Sequence, residues 1–126
     1  MVGLVIVSHS AKLAEGVLDE TRIMADGCPA AAAGGTDDGG FGTSYRKIRS
    51  AIEAVYSESG VIVLVDMGSA VMTAEMVIED LGYENVLLVD CPIAEGAIAA
   101  SLSSLCGDDL ETVKEQALSS KTQEKW

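Results

Sequence analysis

The chain of 126 residues falls in the usual size range of one domain with a single hydrophobic core. Its net charge of −12 at pH 7 excludes nucleic acid as a favourable partner, because a polyanion would be repelled at long range. The three cysteines form no C-x-x-C pair, so we expect neither disulfides nor a zinc site, and we expect each cysteine to be a small buried side chain. The opening apolar stretch is too short to span a bilayer and has no basic flank, which favours a cytoplasmic protein without a membrane segment.

Strand and helix patterns alternate in the first half of the chain. Residues 2–7 form a short β-branched apolar run, which is typical of a strand buried on both faces. Apolar residues at three- and four-residue spacing predict a helix over 10–26, with Gly27 as its stop. A weaker, alanine-rich strand is predicted over 28–35. A second helix is predicted over 43–58, where two hydroxyl residues at the start can cap it.

The second half of the chain repeats this alternation. Apolar runs at 60–65 and 85–90 predict two more buried strands, and apolar spacing over 69–81 predicts the helix between them. A helix is predicted after Pro92, with apolar residues as far as 105. A short last helix is predicted from 108 or 109 through 118.

The alternation predicts an α/β fold with a single doubly wound, mostly parallel sheet that is flanked by helices. We expect one domain over residues 1–118 and a polar tail over 119–126. Ligands of such sheets bind outside the carboxyl ends of the strands, close to the point where the strand order reverses. The loops that follow the four predicted strands should therefore share one functional edge.

His9 is the only histidine in the chain, and it follows the first predicted strand directly. Asp66 follows the third predicted strand, so both side chains are expected at the same edge of the sheet. A carboxylate that accepts a hydrogen bond from Nδ1 fixes the tautomer of a histidine and leaves Nε2 as a nucleophile. From the residues alone, His9 could equally be a capping or structural residue, and Asp66 could be the N-cap of the next helix.

Two segments at this edge are candidates for binding an anion. The segment GGTDDGGFGTS, residues 34–44, has five glycines in eleven residues and leads into a helix, and the segment GSA, residues 68–70, begins another. Backbone N–H groups at a glycine-rich turn or a helix N-terminus can bind phosphate. The candidate phosphate-binding residues are Gly39, Thr43, Ser44, Gly68, Ser69 and Ala70. The first segment lacks the lysine of a nucleotide P-loop, and it could equally be a plain flexible loop.

Two other kinds of chemistry fit the residues less well. Ser8, Ser10 and Ser69 are expected near a histidine and an aspartate, but the chain has no G-x-S-x-G segment, so a hydrolase triad is weakly supported. A single histidine and scattered acidic residues do not favour a catalytic metal. We therefore expect neither a metal nor a cofactor.

Four segments of the chain resemble the mannose-type enzyme IIA family, and in particular its branch that serves phosphoenolpyruvate-dependent dihydroxyacetone kinases. These segments are GLVIVSHSAKLAEGV, GGTDDGGFGTS, VDMGSAVMTAEM and PIAEGAIAA, and the similarity runs from residue 1 to about 105. The resemblance implies a phosphocarrier, commonly a homodimer, that accepts a phosphoryl group from the protein HPr and passes it to ADP held in a kinase subunit. It implies that His9 is the accepting residue, that Asp66 orients it, and that the two anion-binding segments form the walls of the active site.

Two alternatives stay open at this point. Sugar-transport members of the same family pass their phosphoryl group to a transporter subunit, and they carry a threonine before the histidine, where this chain has Ser8. The sequences SHS and DMGSA favour the dihydroxyacetone branch. The second alternative is a non-catalytic α/β module that binds a ligand and in which His9 only caps a helix.

Overall fold

The computed structural model describes residues 1–126 and contains one sheet of four parallel strands in the order β2-β1-β3-β4. The strands are β1 (Gly3–Ser8), β2 (Ala30–Gly34), β3 (Val61–Val65) and β4 (Val86–Val89). The helices are α1 (Ala11–Met24), α2 (Tyr45–Val55), α3 (Gly68–Leu81), α4 (Ile93–Leu105) and α5 (Leu110–Ser119). The predicted α/β class is confirmed, and so is the weak alanine-rich strand. None of the five helices combines the length and apolarity that crossing a bilayer requires.

The strand order places the crevice of the sheet between β1 and β3. From β1 the chain moves to one side to form β2, then crosses to the other side of β1 to form β3. The register pairs Val7 with Val65 and Ser8 with Gly34, so the last residues of the three strands are neighbours. Open parallel sheets bind ligands at such a reversal of strand order.

Side-chain alternation along the strands divides the core into two layers. Leu4 and Ile6 of β1 face the layer that is closed by α1, α4 and α5, whereas Val5 and Val7 face the layer closed by α2 and α3. All four side chains are 1% exposed or less. Burying an aliphatic side chain of this size contributes about 1.5–3 kcal/mol, so β1, with helices on both faces, firmly anchors the loop that follows it.

Helix α2 is shorter than predicted. It ends at Val55, and Tyr56 has the extended backbone angles φ −66° and ψ 137°. The Tyr56 ring stacks on Tyr83, with the ring centroids 3.9 Å apart. The apolar spacing of α2 would allow the helix to continue, but it ends where Tyr56 makes this tertiary stacking contact.

Helix α1 ends two residues earlier than predicted, and the burial predicted for Cys28 and Cys106 is wrong. Helix α1 ends at Met24, where the N–H of Ala25 donates to the Thr21 carbonyl at 2.7 Å, so Gly27 lies outside the helix. Of the three free cysteines, only Cys91 is fully buried. Cys28 is half-buried, and Cys106, the C-cap of α4, is exposed.

The last residues of the chain return to the end of the sheet. Lys121 Nζ lies 3.6 Å from Asp90 Oδ2, and Lys125 Nζ lies 3.2 Å from Glu95 Oε2. Ion pairs this exposed contribute little to stability. The division into a domain over 1–118 and a tail over 119–126 stays a prediction, and α5 ends at Ser119.

Substitutions of two glycines, Gly34 and Gly16, test how closely α1 packs on the sheet. A Cβ at Gly34 would lie 2.6 Å from the Cα of Ala11 and 2.8 Å from the Ser10 carbonyl oxygen, so we expect Gly34→Ala to lower the free energy of unfolding by about 1–3 kcal/mol. A Cβ at Gly16, within α1, would meet no atom within 4 Å. Gly16→Ala should therefore raise the free energy of unfolding by about 0.5–1 kcal/mol. Denaturant unfolding followed by circular dichroism measures both changes, and equal effects of the two variants would contradict this packing.

Candidate active site

His9 lies between the end of a strand and the start of a helix. Strand β1 ends at Ser8, and Ser10 is the N-cap of α1, where its Oγ accepts a hydrogen bond from the Leu13 N–H at 3.2 Å. The backbone on both sides of His9 is therefore held by regular structure. The carbonyl of His9 accepts from the Gly42 N–H at 3.0 Å, and its side chain is 16% exposed. The imidazole is thus held firmly and is still reachable from solvent.

The Asp66 carboxylate accepts three hydrogen bonds from the end of β1. Oδ1 lies 3.1 Å from His9 Nδ1, and Oδ2 accepts from the His9 backbone N–H at 3.1 Å. Oδ2 also accepts from the hydroxyl of Ser8 at 2.7 Å. The structure thus brings together the two residues that the sequence proposed as the reactive pair. Asp66 is not the N-cap of α3, since that position belongs to Met67.

These contacts determine where the protons of the site lie. An ionised carboxylate only accepts hydrogen bonds, so His9 Nδ1 carries the proton and donates it to Asp66. Nε2 of the neutral ring then has a free lone pair. Ser69 Oγ lies 2.5 Å from Nε2, and its hydroxyl is the donor in that contact. With the proton on Nδ1, Nε2 is the outward nitrogen of the ring and the one that can act as a nucleophile.

Hydrogen bonding keeps Asp66 ionised. Burial of the Asp66 side chain raises its pKa, but the hydrogen bonds from Ser8 and from the side chain and backbone of His9 outweigh this effect. The net result is a pKa below the ordinary value of an aspartate. Asp66 consequently carries its negative charge at neutral pH, next to the imidazole.

The N-terminus of α3 offers free backbone donors beside His9. The N–H groups of Gly68 and Ser69 have no acceptor within the chain, whereas the N–H of Ala70 donates to the Met67 carbonyl at 3.0 Å. Met67, as N-cap, makes no side-chain capping hydrogen bond. The positive end of the helix dipole therefore lies beside Nε2 with two unpaired N–H groups, which is a favourable place for a phosphoryl group.

Backbone N–H groups of the glycine-rich segment, unlike those of Gly68 and Ser69, have acceptors within the chain. The N–H of Gly39 donates to the Thr36 carbonyl at 3.1 Å, and the N–H of Gly40 is bound by the Thr36 hydroxyl at 3.0 Å. The N–H of Gly42 binds His9 itself. These donors close the loop on itself and fasten it to the active-site strand, so Gly39 offers no free amide to a phosphate.

The hydroxyl groups at the end of this segment also have partners within the chain. Thr43 Oγ1 lies 3.1 Å from Thr73 Oγ1 of α3, which links the loop to the helix that carries Ser69. Ser44 is the N-cap of α2, and its hydroxyl binds the carboxylate of Asp37. Both residues brace the wall of the site, and among the candidate phosphate contacts Gly68 and Ser69 are the ones with free donors next to His9.

Ser8 is the part of the site that the sequence analysis did not assign. Its hydroxyl is fully buried and reaches Asp66 from the neighbouring strand. The available signal was its position as the last residue of an otherwise apolar buried strand, because a buried hydroxyl must find a hydrogen-bond partner. No group of three or more His, Cys, Asp or Glu side chains in the structure could hold a metal ion.

The lowered pKa of Asp66 sets the pH dependence of its contribution to stability. The contribution is complete above the ordinary aspartate pKa of about 4 and is lost as the pH falls through the lower pKa of the folded protein. We therefore expect Asp66→Asn to lower the free energy of unfolding at pH 7, and the difference from the wild type to shrink below about pH 4. Urea unfolding of both proteins between pH 7 and pH 2.5 measures this difference in the free energy of unfolding. A difference that stays constant down to pH 2.5 would contradict the role of the charged carboxylate.

Comparison with known proteins agrees with this geometry. The family model EIIA-man, described as the PTS system fructose IIA component, matches residues 3–114. A relative from Escherichia coli strain K12, the phosphoryl donor subunit DhaM of PEP-dependent dihydroxyacetone kinase, is 43% identical over 120 residues. That match covers 90% of this chain and 25% of the relative, so the chain spans about a quarter of the relative's length.

Shorter relatives match along most of their own length. The phosphotransferase subunit DhaM of the PTS-dependent dihydroxyacetone kinase of Lactococcus lactis is 35% identical, over 90% of this chain and 91% of the relative. A crystal structure of the unknown-function protein EF1359 superimposes with a TM-score of 0.84 at 25% identity and covers 100% of this chain and 99% of that one. The chain belongs to the EIIA-man family of phosphotransferase-system IIA components.

Proposed function

We propose that this chain is a phosphohistidine carrier that accepts a phosphoryl group from HPr on His9 and passes it to ADP bound in the ADP-binding subunit of a dihydroxyacetone kinase. Dihydroxyacetone is then phosphorylated at the expense of phosphoenolpyruvate, and the carrier acts in the cytoplasm as a homodimer. The observation that carries the proposal is the hydrogen bond between His9 Nδ1 and Asp66, which places the proton on Nδ1 and leaves Nε2 as the outward nitrogen. The dihydroxyacetone kinase subunits among the relatives support this choice of acceptor.

The transfer requires a neutral nucleophile and a way to stabilise the charge that forms on it. The lone pair of Nε2 attacks the phosphorus of the donor's phosphohistidine in line, and the donor's P–N bond breaks with its electrons returning to the donor ring. The His9 ring, still protonated at Nδ1, becomes positively charged as the new P–N bond forms. The Asp66 carboxylate, 3.1 Å from Nδ1, stabilises that charge without moving. Transfer to ADP reverses these changes on His9.

The phosphoryl oxygens would meet donors at the start of α3. The free N–H groups of Gly68 and Ser69 are available to them, and the helix dipole favours their negative charge. The hydroxyl of Ser69, which donates to Nε2 in the resting protein, has to turn away before the attack and can then donate to a phosphoryl oxygen. Phosphoryl transfer depends mainly on this kind of positioning and charge stabilisation.

The surroundings of His9 suit a protein partner better than an enclosed small substrate. A concave region of about 760 Å³ is lined by residues of α1, α4, α5 and the tail and not by His9. Apolar residues close in sequence to the site segments are exposed instead, with Phe41 at 86%, Met67 at 55% and Met72 at 72%. Exposed apolar groups next to an accessible nucleophile favour docking of another protein. The net charge of −12 favours a donor with a basic face.

Phosphorylation of His9 is the direct test of this function. We expect incubation with phosphoenolpyruvate, enzyme I and HPr to add one acid-labile phosphoryl group per chain, on the peptide that contains His9. The variant His9→Gln should add none, because it lacks the nucleophilic nitrogen, while its circular dichroism matches the wild type. Native mass spectrometry measures the added groups and also counts the copies in the homodimer.

The acceptor is tested with the phosphorylated protein. We expect an ADP-loaded kinase subunit to discharge it, with ATP as the product. Discharge by the IIB subunit of a sugar transporter, and not by the kinase, would favour the sugar-transport alternative. Phosphate on another residue, or none at all on the wild type, would overturn the assignment of His9.

A further inference from the structure

The hydroxyl of Ser8 occupies a position with two defined neighbours. Ser8 is the last residue of β1 and is 0% exposed. Its Oγ lies 2.7 Å from Asp66 Oδ2, and the backbone N–H of Ser10 donates to the same Oγ at 3.0 Å. The hydroxyl therefore connects the aspartate at the end of β3 with the first residues before α1.

The direction of both hydrogen bonds follows from the chemistry of the groups. A backbone N–H can only donate, so Ser8 Oγ accepts from Ser10. The single hydroxyl proton of Ser8 is then available for Asp66, which as a carboxylate only accepts. If the hydroxyl proton turned to another partner, Asp66 Oδ2 would lose one of its two hydrogen bonds and keep only the one from the His9 backbone N–H. Ser8 is thus a fixed donor to Asp66.

We propose that Ser8 is a positioning residue for His9: by donating to Oδ2 it holds the Asp66 carboxylate in the orientation in which Oδ1 accepts from Nδ1. The neutral ring then keeps its proton on Nδ1, and Nε2 stays unprotonated. The consequence for phosphoryl transfer rests on the proposed function above, whereas the tautomer of His9 is a property of the unphosphorylated protein.

The electrostatics around Asp66 support this role. His9 is the titratable side chain that faces Asp66, and no lysine or arginine contributes to holding the Asp66 pKa low. The hydrogen bonds from Ser8 and His9, with a smaller Coulombic contribution from His9, hold the Asp66 pKa low, and the bond from Ser8 is the shortest of the three. Without Ser8, Oδ2 would keep only the His9 backbone N–H at 3.1 Å.

Three variants distinguish a positioning role of Ser8 from an effect on folding. Ser8→Ala removes the hydroxyl, and Ser8→Thr keeps it on a residue that suits a strand. Ser10→Ala is the matched control, because it removes the capping hydrogen bond to the Leu13 N–H and leaves the Asp66 contacts in place. Nitrogen-15 NMR of the His9 ring reports its tautomer, and carbon-13 NMR of the Asp66 carboxyl reports its titration. The rate of phosphorylation by HPr is measured on the same samples.

In Ser8→Ala we expect the Asp66 pKa to rise, the Nδ1–H tautomer to lose its dominance, and phosphorylation to slow by about tenfold or more. Ser8→Thr should restore all three properties. Ser10→Ala should unfold more easily and keep the wild-type tautomer and Asp66 titration. Unchanged ring and carboxyl signals in a folded Ser8→Ala variant that is phosphorylated normally would overturn the role of Ser8 alone. A changed tautomer together with a wild type that accepts no phosphate would support that role and overturn the proposed function.

Discussion

The site depends on one carboxylate that accepts three hydrogen bonds from the end of a neighbouring strand. Asp66 binds the hydroxyl of Ser8 and both the backbone and the ring of His9. These bonds keep Asp66 ionised in spite of its burial, and the charged carboxylate in turn keeps the His9 proton on Nδ1. The protonation of the outward nitrogen is therefore set by groups that do not themselves contact Nε2.

The fold brings Ser8 and His9 within hydrogen-bonding distance of Asp66. Strands β1 and β3 are adjacent because the chain reverses its strand order at β1, so Ser8 and Asp66 meet although 57 residues separate them in the chain. The buried valines and isoleucines of both strands hold that edge in place. The glycine-rich segment adds a second support, since its Gly42 N–H binds the His9 carbonyl and its Thr43 hydroxyl reaches α3. What resembles an anion-binding loop in sequence serves here as a brace for the histidine and for α3.

The sequence predicted the strands and the proximity of His9 and Asp66, because both depend on strong, local patterns. Apolar β-branched runs identified β1, β3 and β4, and parallel strands bring their carboxyl ends together, which placed His9 beside Asp66. The end of α2 could not be predicted, because it coincides with a stacking contact between Tyr56 and the distant Tyr83. Likewise, whether Gly39 or Gly68 offers a free N–H depends on how each loop closes on itself. Ser8 was missed because its importance comes from a partner on another strand.

The most direct test of the account is the site of attachment on the imidazole. In the structure, His9 Nδ1 is hydrogen-bonded to Asp66, and Nε2 faces the hydroxyl of Ser69 at the N-terminus of α3. Nitrogen-15 and phosphorus-31 NMR of the phosphorylated protein identifies which ring nitrogen carries the phosphoryl group. The account predicts the group on Nε2, with the proton retained on Nδ1. A phosphoryl group on Nδ1 would contradict it, because that attachment requires the bond between His9 and Asp66 to be broken.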